Sequence, residues 1–184
     1  MSSAWKVGRK NVMLDCETPK GKEAIDKEMD VKNVLAEKLN IKITTPKDKA
    51  NHDDGLIYRM EKLIGVCEIK TRSYWSRDAK TPFKLDRLLS DYRGYMITGW
   101  KLDWLQKQSK KNNIHSYVFL NIPHDKCIVK IRITDKMGRF FIKHKIENTE
   151  SYYSVNDSKG KIWRDNAFIR YKGNEQHIEI INYG

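Results

Sequence analysis

Three charged residues, Asp54, Glu68 and Lys70, lie around two apolar runs whose spacing favours a β-hairpin. The runs cover residues 56–58 and 63–67, and a polar centre separates them. Asp54 precedes the first run, whereas Glu68 and Lys70 follow the second. Carboxylates and ammonium groups are rarely buried unless they are paired or bound to a metal. The end of this hairpin is therefore the first candidate for a chemical site.

The alternation of side chains gives the second run two faces. One face is expected to carry four residues: Ile64, Val66, Glu68 and Lys70. The other is expected to carry Leu63, Cys67 and Ile69. Both faces begin apolar, as in a buried strand, and one then changes to a carboxylate and an ammonium group.

A turn centred near Glu61 would place Asp54 opposite Glu68. Opposed residues have Cβ atoms about 4.5–5.5 Å apart, and like charges there are destabilising. A divalent cation between the carboxylates would remove this repulsion, and Mg²⁺ prefers such oxygen ligands together with water and phosphate. The Ile69 carbonyl offers a further oxygen, and Lys70 can position or deprotonate an attacking water.

Asp54 followed by Glu68-x-Lys70 resembles the PD-(D/E)XK nuclease superfamily, although Asp53 stands where the motif often has proline. The resemblance implies an α/β fold with a restriction-endonuclease-like core: a helix, a central mixed sheet with the catalytic hairpin, and further helices. It also implies an Mg²⁺- or Mn²⁺-dependent deoxyribonuclease. An endonuclease is favoured over an exonuclease, and the sequence leaves these two and a junction resolvase open. Asp54, Glu68 and Lys70 would be catalytic, with the metal held by Asp54, Glu68 and Ile69. The alternative is a surface hairpin with a Glu–Lys pair.

A helix is predicted to begin with Thr18 as N-cap and Pro19 at its first position, and to end near residue 39 or 40. Its apolar stripe would comprise Ile25, Met29, Val34, Leu35 and Leu39. Glu28 lies on this face. By the resemblance, Glu28 would complete the metal shell, with Glu23 as second choice. The alternative is a boundary glutamate in contact with water.

A short helix over residues 84–91 and a longer one from Thr98 to about residue 111 are also predicted, followed by a buried strand over 115–122. The longer helix is expected to bury Trp100, Leu102, Trp104 and Leu105. By the resemblance, Lys101 and Gln106 would reach the site from this helix. The alternative is that both lie on its solvated face.

Aromatic and basic residues follow the hairpin at Arg72, Tyr74, Trp75 and Arg77. Such residues can stack on bases and pair with phosphates, or they can pack at the strand end. The chain has 36 Lys and Arg against 24 Asp and Glu, a net charge of +12. This balance favours a polyanionic partner, with DNA expected from the resemblance. A protein that is merely lysine-rich is the alternative.

The predicted organisation is one domain, with a core over about 18–122 and an antiparallel β-rich extension over about 126–184. We expect residues 147–160 to be polar and mobile, and a strand to begin near Phe168. Five basic residues of the extension would form a binding face or keep an exposed sheet soluble: Lys143, Lys145, Lys161, Arg164 and Arg170.

No apolar run approaches the roughly 20 residues of a membrane span, and the N-terminus lacks a signal-peptide pattern. Three cysteines without metal spacing indicate reduced thiols and a cytoplasmic protein. Two other functions stay open: a non-catalytic nucleic-acid-binding protein, and a structural or interaction module of a larger assembly. A homodimer and companion subunits stay open as partners.

Overall fold

The computed structural model describes residues 19–45, 55–74, 81–91, 93–152 and 161–184, in which the chain forms three α-helices and nine β-strands. The helices are α1 (Pro19–Leu39), α2 (Leu85–Ser90) and α3 (Gly99–Asn112). The strands are β1 (Lys42–Thr44), β2 (Gly55–Arg59), β3 (Lys62–Thr71), β4 (Tyr95–Thr98), β5 (His115–Ile122), β6 (Cys127–Thr134), β7 (His144–Tyr152), β8 (Lys161–Ile169) and β9 (Ile178–Asn182).

Two sheets organise these strands, and together with the helices they confirm the predicted α/β class. The central sheet has the order β1-β2-β3-β5-β6-β9, and it is mixed because β3 and β5 are parallel while its other pairs are antiparallel. The second sheet, β4-β8-β7, is antiparallel. Strands β6 and β9 of the predicted extension complete the central sheet, while β4 of the predicted core pairs with β8. The sheets therefore join the two regions.

Helices α1 and α3 pack on opposite faces of the central sheet. Val31 and Leu35 of α1 belong to a buried cluster with Cys67 of β3. Leu102 of α3 belongs to a second buried cluster with Val66. Each such apolar side chain contributes about 1.5–3 kcal/mol when fully buried. Because neighbouring residues of a strand point to opposite faces, these contacts assign Val66 to the α3 face and Cys67 to the α1 face.

The predicted bounds of α1 are confirmed from Pro19 onward, but its predicted apolar stripe is wrong in the first half of the helix. Ile25 and Met29 are 44% and 48% exposed, whereas Val31 and Leu35 are buried. Among the α1 side chains that the structure describes, those that are buried lie in the second half of the helix. The apolar periodicity of the first half therefore does not correspond to a buried core.

Helix α3 also matches its predicted range, but one expectation at its start is wrong and one neighbouring strand was not predicted. Leu102 and Leu105 are buried as predicted, whereas Trp100 is 45% exposed. The residues before Gly99 form β4, which the sequence did not predict. Its partner β8 lies more than 60 residues later in the chain, and local periodicity carries no signal for such a pairing.

The β2–β3 hairpin is confirmed, with a change of phase near its turn. Met60 and Glu61 adopt positive φ values of 46° and 61°, which a tight hairpin turn requires. The register shifts between Ile57 and Tyr58. As a result, Leu63 packs with the Val66 cluster and Ile64 with the Cys67 cluster, the reverse of the simple alternation.

The predicted mobile segment is wrong for residues 147–152, which pair with β8 as part of β7. Strand β8 likewise begins at Lys161 rather than near Phe168. Residues 153–160 lie outside the described part of the chain. None of the helices in the described ranges has the length and apolar character needed to cross a membrane.

Candidate functional site

The Glu68 cluster, which we define as Glu68, Lys70 and Lys101, lies near the carboxyl end of β3 on the α3 side of the sheet. Glu68 is only 1% exposed. The Lys70 Nζ lies 2.8 Å from Glu68 Oε1, and Lys101 Nζ donates a hydrogen bond to the same oxygen. Counting these three groups alone, the cluster carries one excess positive charge. A buried carboxylate is tolerated here because two ammonium groups offset its desolvation.

The parallel pairing of β3 with β5 positions Glu68 and Lys70. Glu68 pairs with Val118 and Lys70 with Leu120, both of which are fully buried. The charged pair therefore lies directly beside buried apolar residues of the neighbouring strand. Ligand sites in open α/β sheets lie at the carboxyl ends of the strands, which is where these residues are found.

Helix α3 is held on this face by apolar packing and by a chain of buried hydroxyl groups. Ser109 Oγ lies 2.5 Å from Thr134 Oγ1, which lies 2.7 Å from Ser116 Oγ. This anchorage places Lys101, in the first turn of the helix, over Glu68. The same turn contains no acidic residue, and its N-cap Thr98 makes no side-chain capping bond. The helix N-terminus is therefore suited to an approaching anion.

Asp54 lies outside the described residues, as do Trp75 and Arg77. Gly55, which follows Asp54 in the sequence, pairs with Cys67, which precedes Glu68. This is the register on which the predicted opposition of Asp54 and Glu68 depends. A Cβ at Gly55 would lie 2.2 Å from Ile43 Cγ2. Glycine is favoured at Gly55 because the Ile43 side chain occupies the space that a Cβ would fill.

The oxygen donors at the site are of the type that Mg²⁺ and Mn²⁺ accept. They are the Glu68 carboxylate and the neighbouring Ile69 carbonyl; the Ile69 side chain itself is buried in the α1 cluster. Within the described ranges, no group of three or more His, Cys, Asp or Glu residues could hold a metal ion. The donor chemistry fits such a metal, and a second carboxylate would have to come from Asp54.

Glu28 lies on α1, the helix that covers the other face of the sheet. It is half-buried and forms an ion pair with Lys32, which is only 5% exposed and donates to Thr45 Oγ1 at 2.5 Å. Lys32 was not among the predicted site residues, although its position four residues after Glu28 and next to Val31 is a local signal for such a pair. Glu23, the second choice, pairs with Lys27 on the exposed part of the helix.

Of the two auxiliary residues predicted on α3, the structure brings Lys101 to Glu68 and directs Gln106 elsewhere. Gln106 Nε2 donates to the Gly138 carbonyl at 2.9 Å, in the turn after β6. Five positions correspond to about 140° around a helix of 3.6 residues per turn, so Lys101 and Gln106 project from different sides.

Exposed rings lie near the cluster. Tyr74 is 50% exposed, and its ring centroid lies 5.7 Å from that of His124, in an edge-on contact. The exposed Trp100 precedes Lys101, whose Nζ is 5.6 Å from the indole centroid. Arg72 continues the strand pairing through its N–H bond to the Asn121 carbonyl. His124 was not among the predicted site residues, although it lies just after β5, the strand parallel to β3.

Comparison with known proteins gave no match to a family model, to a curated protein or to a solved structure. The interpretation of the site therefore rests on its residues and their geometry.

Proposed function

We propose that the chain is a metal-dependent nuclease of the PD-(D/E)XK type that hydrolyses phosphodiester bonds, with DNA as the expected substrate. The observation that carries this proposal is the buried Glu68 carboxylate, which accepts from both Lys70 and Lys101 at the carboxyl end of a central parallel strand. The sequence motif supplied two of these three residues, and the fold supplies the third from a separate helix.

The unequal exposure of the three groups favours a working site over an ion pair that only supports the fold. The Glu68 side chain is 2% exposed, whereas those of Lys101 and Lys70 are 18% and 38% exposed. An anion arriving from solvent can therefore reach the ammonium groups but not the carboxylate. This is the arrangement expected where a phosphate is to be bound and its charge neutralised.

Each residue would have a defined role in hydrolysis. Asp54, Glu68 and the Ile69 carbonyl would hold Mg²⁺ or Mn²⁺, which when bound supplies an activated water and neutralises charge on the scissile phosphate. Lys70 would position or deprotonate the attacking water. Lys101 would bind a phosphate oxygen and stabilise the charge that develops during the reaction. Glu28 stays an auxiliary residue proposed from the resemblance alone, because α1 covers the opposite face of the sheet and Glu28 is paired there with Lys32.

The substrate would lie across the edge of the sheet where β3 and β5 end. Tyr74 and Trp100 are exposed there, and aromatic rings beside a cationic site can stack on bases that leave the duplex. Arg72, Trp75 and Arg77 remain proposed contacts to the backbone. The net charge of +12 would strengthen the encounter with a polyanion at low salt. Cleavage within a strand, as an endonuclease, is the proposed outcome.

A cleavage assay tests the proposal. The protein would be incubated with linear, circular, single-stranded and four-way-junction DNA and with RNA, in Mg²⁺, Mn²⁺ or EDTA. Glu68→Gln is the test variant, and Glu61→Gln, in the exposed turn of the same hairpin, is its matched control. Metal-dependent products with the control but not with Glu68→Gln would support the nuclease and identify its substrate.

The same assay separates the other functions. Binding of nucleic acid without products in any metal would favour a non-catalytic binding protein. If none of the DNA and RNA molecules binds at low salt, the result would favour an interaction module for an acidic protein partner.

A further inference from the structure

A second cluster lies on the face of the central sheet opposite the Glu68 cluster. We call it the aromatic–basic patch and define it by six half-buried residues from β5, β6 and the segments before β7 and β9: His115, Tyr117, Lys130, Arg132, Phe141 and His177. Tyr117 pairs with Arg132 and packs against the buried cluster that includes α1. The patch is therefore separated from Glu68 by the sheet.

The patch combines rings with a cation in close contact. The Arg132 guanidinium lies 4.2 Å from the centroid of the Phe141 ring, and its Nη2 is 3.4 Å from His115 Nε2. The Phe141 and His177 rings are tilted by 30° with centroids 5.0 Å apart. Rings and a guanidinium arranged in this way form a stacking surface that every nucleobase can use.

The charges of the patch favour an anion at Arg132. Lys130 forms an ion pair with Glu179 at 2.7 Å. In the part of the chain that the structure describes, no carboxylate pairs with Arg132, and its buried Nε has no hydrogen-bond partner. A phosphate would neutralise the guanidinium. Burial, assisted by Arg132 and Lys136, lowers the pKa of His115 against the opposing bond to the Thr134 carbonyl, so its ring is neutral at pH 7 and suited to stacking.

The size of the adjoining pocket restricts the ligand. The pocket has a volume of about 240 Å³ and is lined by Tyr117, Arg132, Gln176, His177 and Ile178 together with the Lys130–Glu179 ion pair. Sites for drug-sized molecules and cofactors usually measure about 300–1,000 Å³. The pocket therefore suits one planar ring at a time, as a polymer presents them. A duplex keeps its base faces stacked internally, whereas a single strand offers them.

We propose that the aromatic–basic patch binds single-stranded nucleic acid, with a base against the rings of Phe141 and His177 and a phosphate at Arg132. This inference does not depend on the nuclease proposal. The patch would hold a displaced or unpaired strand on the side of the sheet away from Glu68.

Binding can be measured in EDTA, where cleavage does not contribute, by fluorescence anisotropy with a labelled oligothymidylate and with a duplex of equal length. For the double variant Phe141→Leu/His177→Ala, we expect the affinity for the single strand to fall roughly 5- to 150-fold. This range is the stacking free energy of one base converted to a ratio of dissociation constants. Duplex affinity should stay within about twofold, because the duplex offers no free base to the rings. Leucine keeps position 141 apolar, and circular dichroism checks that the variant is folded.

Arg132→Gln tests the phosphate contact. The matched control is Lys107→Gln, which removes a cation from the exposed side of α3. The slope of log affinity against log salt should decrease by about 0.7 for Arg132→Gln, the value for one phosphate contact to a single strand. The control should leave single-strand affinity unchanged. An equal effect of both substitutions would overturn a specific contact at Arg132.

Photocrosslinking locates the strand directly. An oligonucleotide containing 5-iodouracil should crosslink to Tyr117, Phe141 or His177, as identified by mass spectrometry. Crosslinks confined to Tyr74 and Trp100, with full affinity retained in the ring variant, would overturn the proposal and assign single-strand binding to the Glu68 side. Competition by polyglutamate as effective as that by the oligonucleotide would also overturn it, in favour of an acidic protein partner.

Discussion

The Glu68 cluster and the aromatic–basic patch lie on opposite faces of one sheet and use their positive charge in different ways. In the cluster, two lysines share one buried carboxylate oxygen. In the patch, an arginine lies against a phenylalanine ring and a histidine. Lysine ammonium groups act as compact charges, whereas a guanidinium also stacks. The difference suggests that one face would act on the phosphodiester backbone and the other would hold bases.

The largest effect is expected from Glu68→Ala, which would remove the central anion of the cluster. Cleavage should be lost. The variant should also be less stable, because breaking a fully buried pair costs about 3–5 kcal/mol, and the partial exposure of Lys70 reduces this cost. Urea unfolding would measure the change, with Glu61→Ala as control. Undiminished cleavage by folded Glu68→Ala would refute the site.

A smaller loss is expected when Lys101 is replaced by Met. Removing one preorganised donor to the developing charge typically lowers kcat by about 100- to 1,000-fold. Gln106→Ala, on the same helix but bonded to Gly138, should keep kcat within about twofold, because it removes no donor to that charge. Single-turnover kinetics would measure both variants. Equal losses in the two variants would contradict the different positions that α3 gives these residues.

Arg132→Lys sharpens the contrast between charge and stacking. The substitution keeps the positive charge of the patch but loses the planar group over Phe141. We expect single-strand affinity to fall roughly fivefold, as for a loss of about 1 kcal/mol, while cleavage of duplex DNA is unchanged. Anisotropy in EDTA and a duplex cleavage assay would be compared. A parallel fall in cleavage would indicate that the two faces do not act separately.

The smallest effect concerns the protonation of His115. Its pKa is lowered in the folded protein, mainly by burial. As the pH falls, the unfolded chain therefore binds a proton at this histidine before the folded protein does. Stability from this group is present above the unfolded pKa of about 6.5 and is lost as pH falls through the folded pKa. The ring resonances should titrate below the ordinary value in an NMR experiment. When the pH is lowered from 7.5 to 5, the free energy of unfolding measured in urea should decrease less for His115→Gln than for the native chain. A titration midpoint above 6.5 would contradict the proposed environment.

Local patterns in the sequence were sufficient to predict the elements that carry the Glu68 cluster. Apolar runs and an end-of-strand charge pair predicted β3, and the symmetry about Glu61 gave the observed pairing of Gly55 with Cys67. Helical periodicity and an N-terminal proline predicted the span of α1. Periodicity alone predicted the span of α3. Lys101 was reached only through the resemblance, because nothing local links it to a residue 33 positions earlier.

The features that the sequence did not predict depend on distant parts of the chain. Strand β4 is a strand because β8 pairs with it. The exposure of Trp100, at the start of the helix that follows β4, was likewise not predicted. The aromatic–basic patch brings together residues from His115 to His177 across two strands and two connecting segments. No periodicity connects these positions, so only the folded sheet reveals that their rings and cations meet.

The contact between α3 and the late strand β8 has a consequence for synthesis on the ribosome. Gly99, at the start of α3, lies against the backbone of Asp165, so a Cβ there would come within 3.1 Å of the Asp165 carbonyl oxygen. A chain that emerges N-terminus first has made β3 and α3 long before β8. The contact of Gly99 with Asp165 can therefore form only after residues 161–169 have emerged, later than the Ser109–Thr134 contact that also holds α3. We expect a chain that ends before residue 161 to keep the Ser109–Thr134 anchorage of α3 but to lack this last support at the start of the helix, next to Lys101.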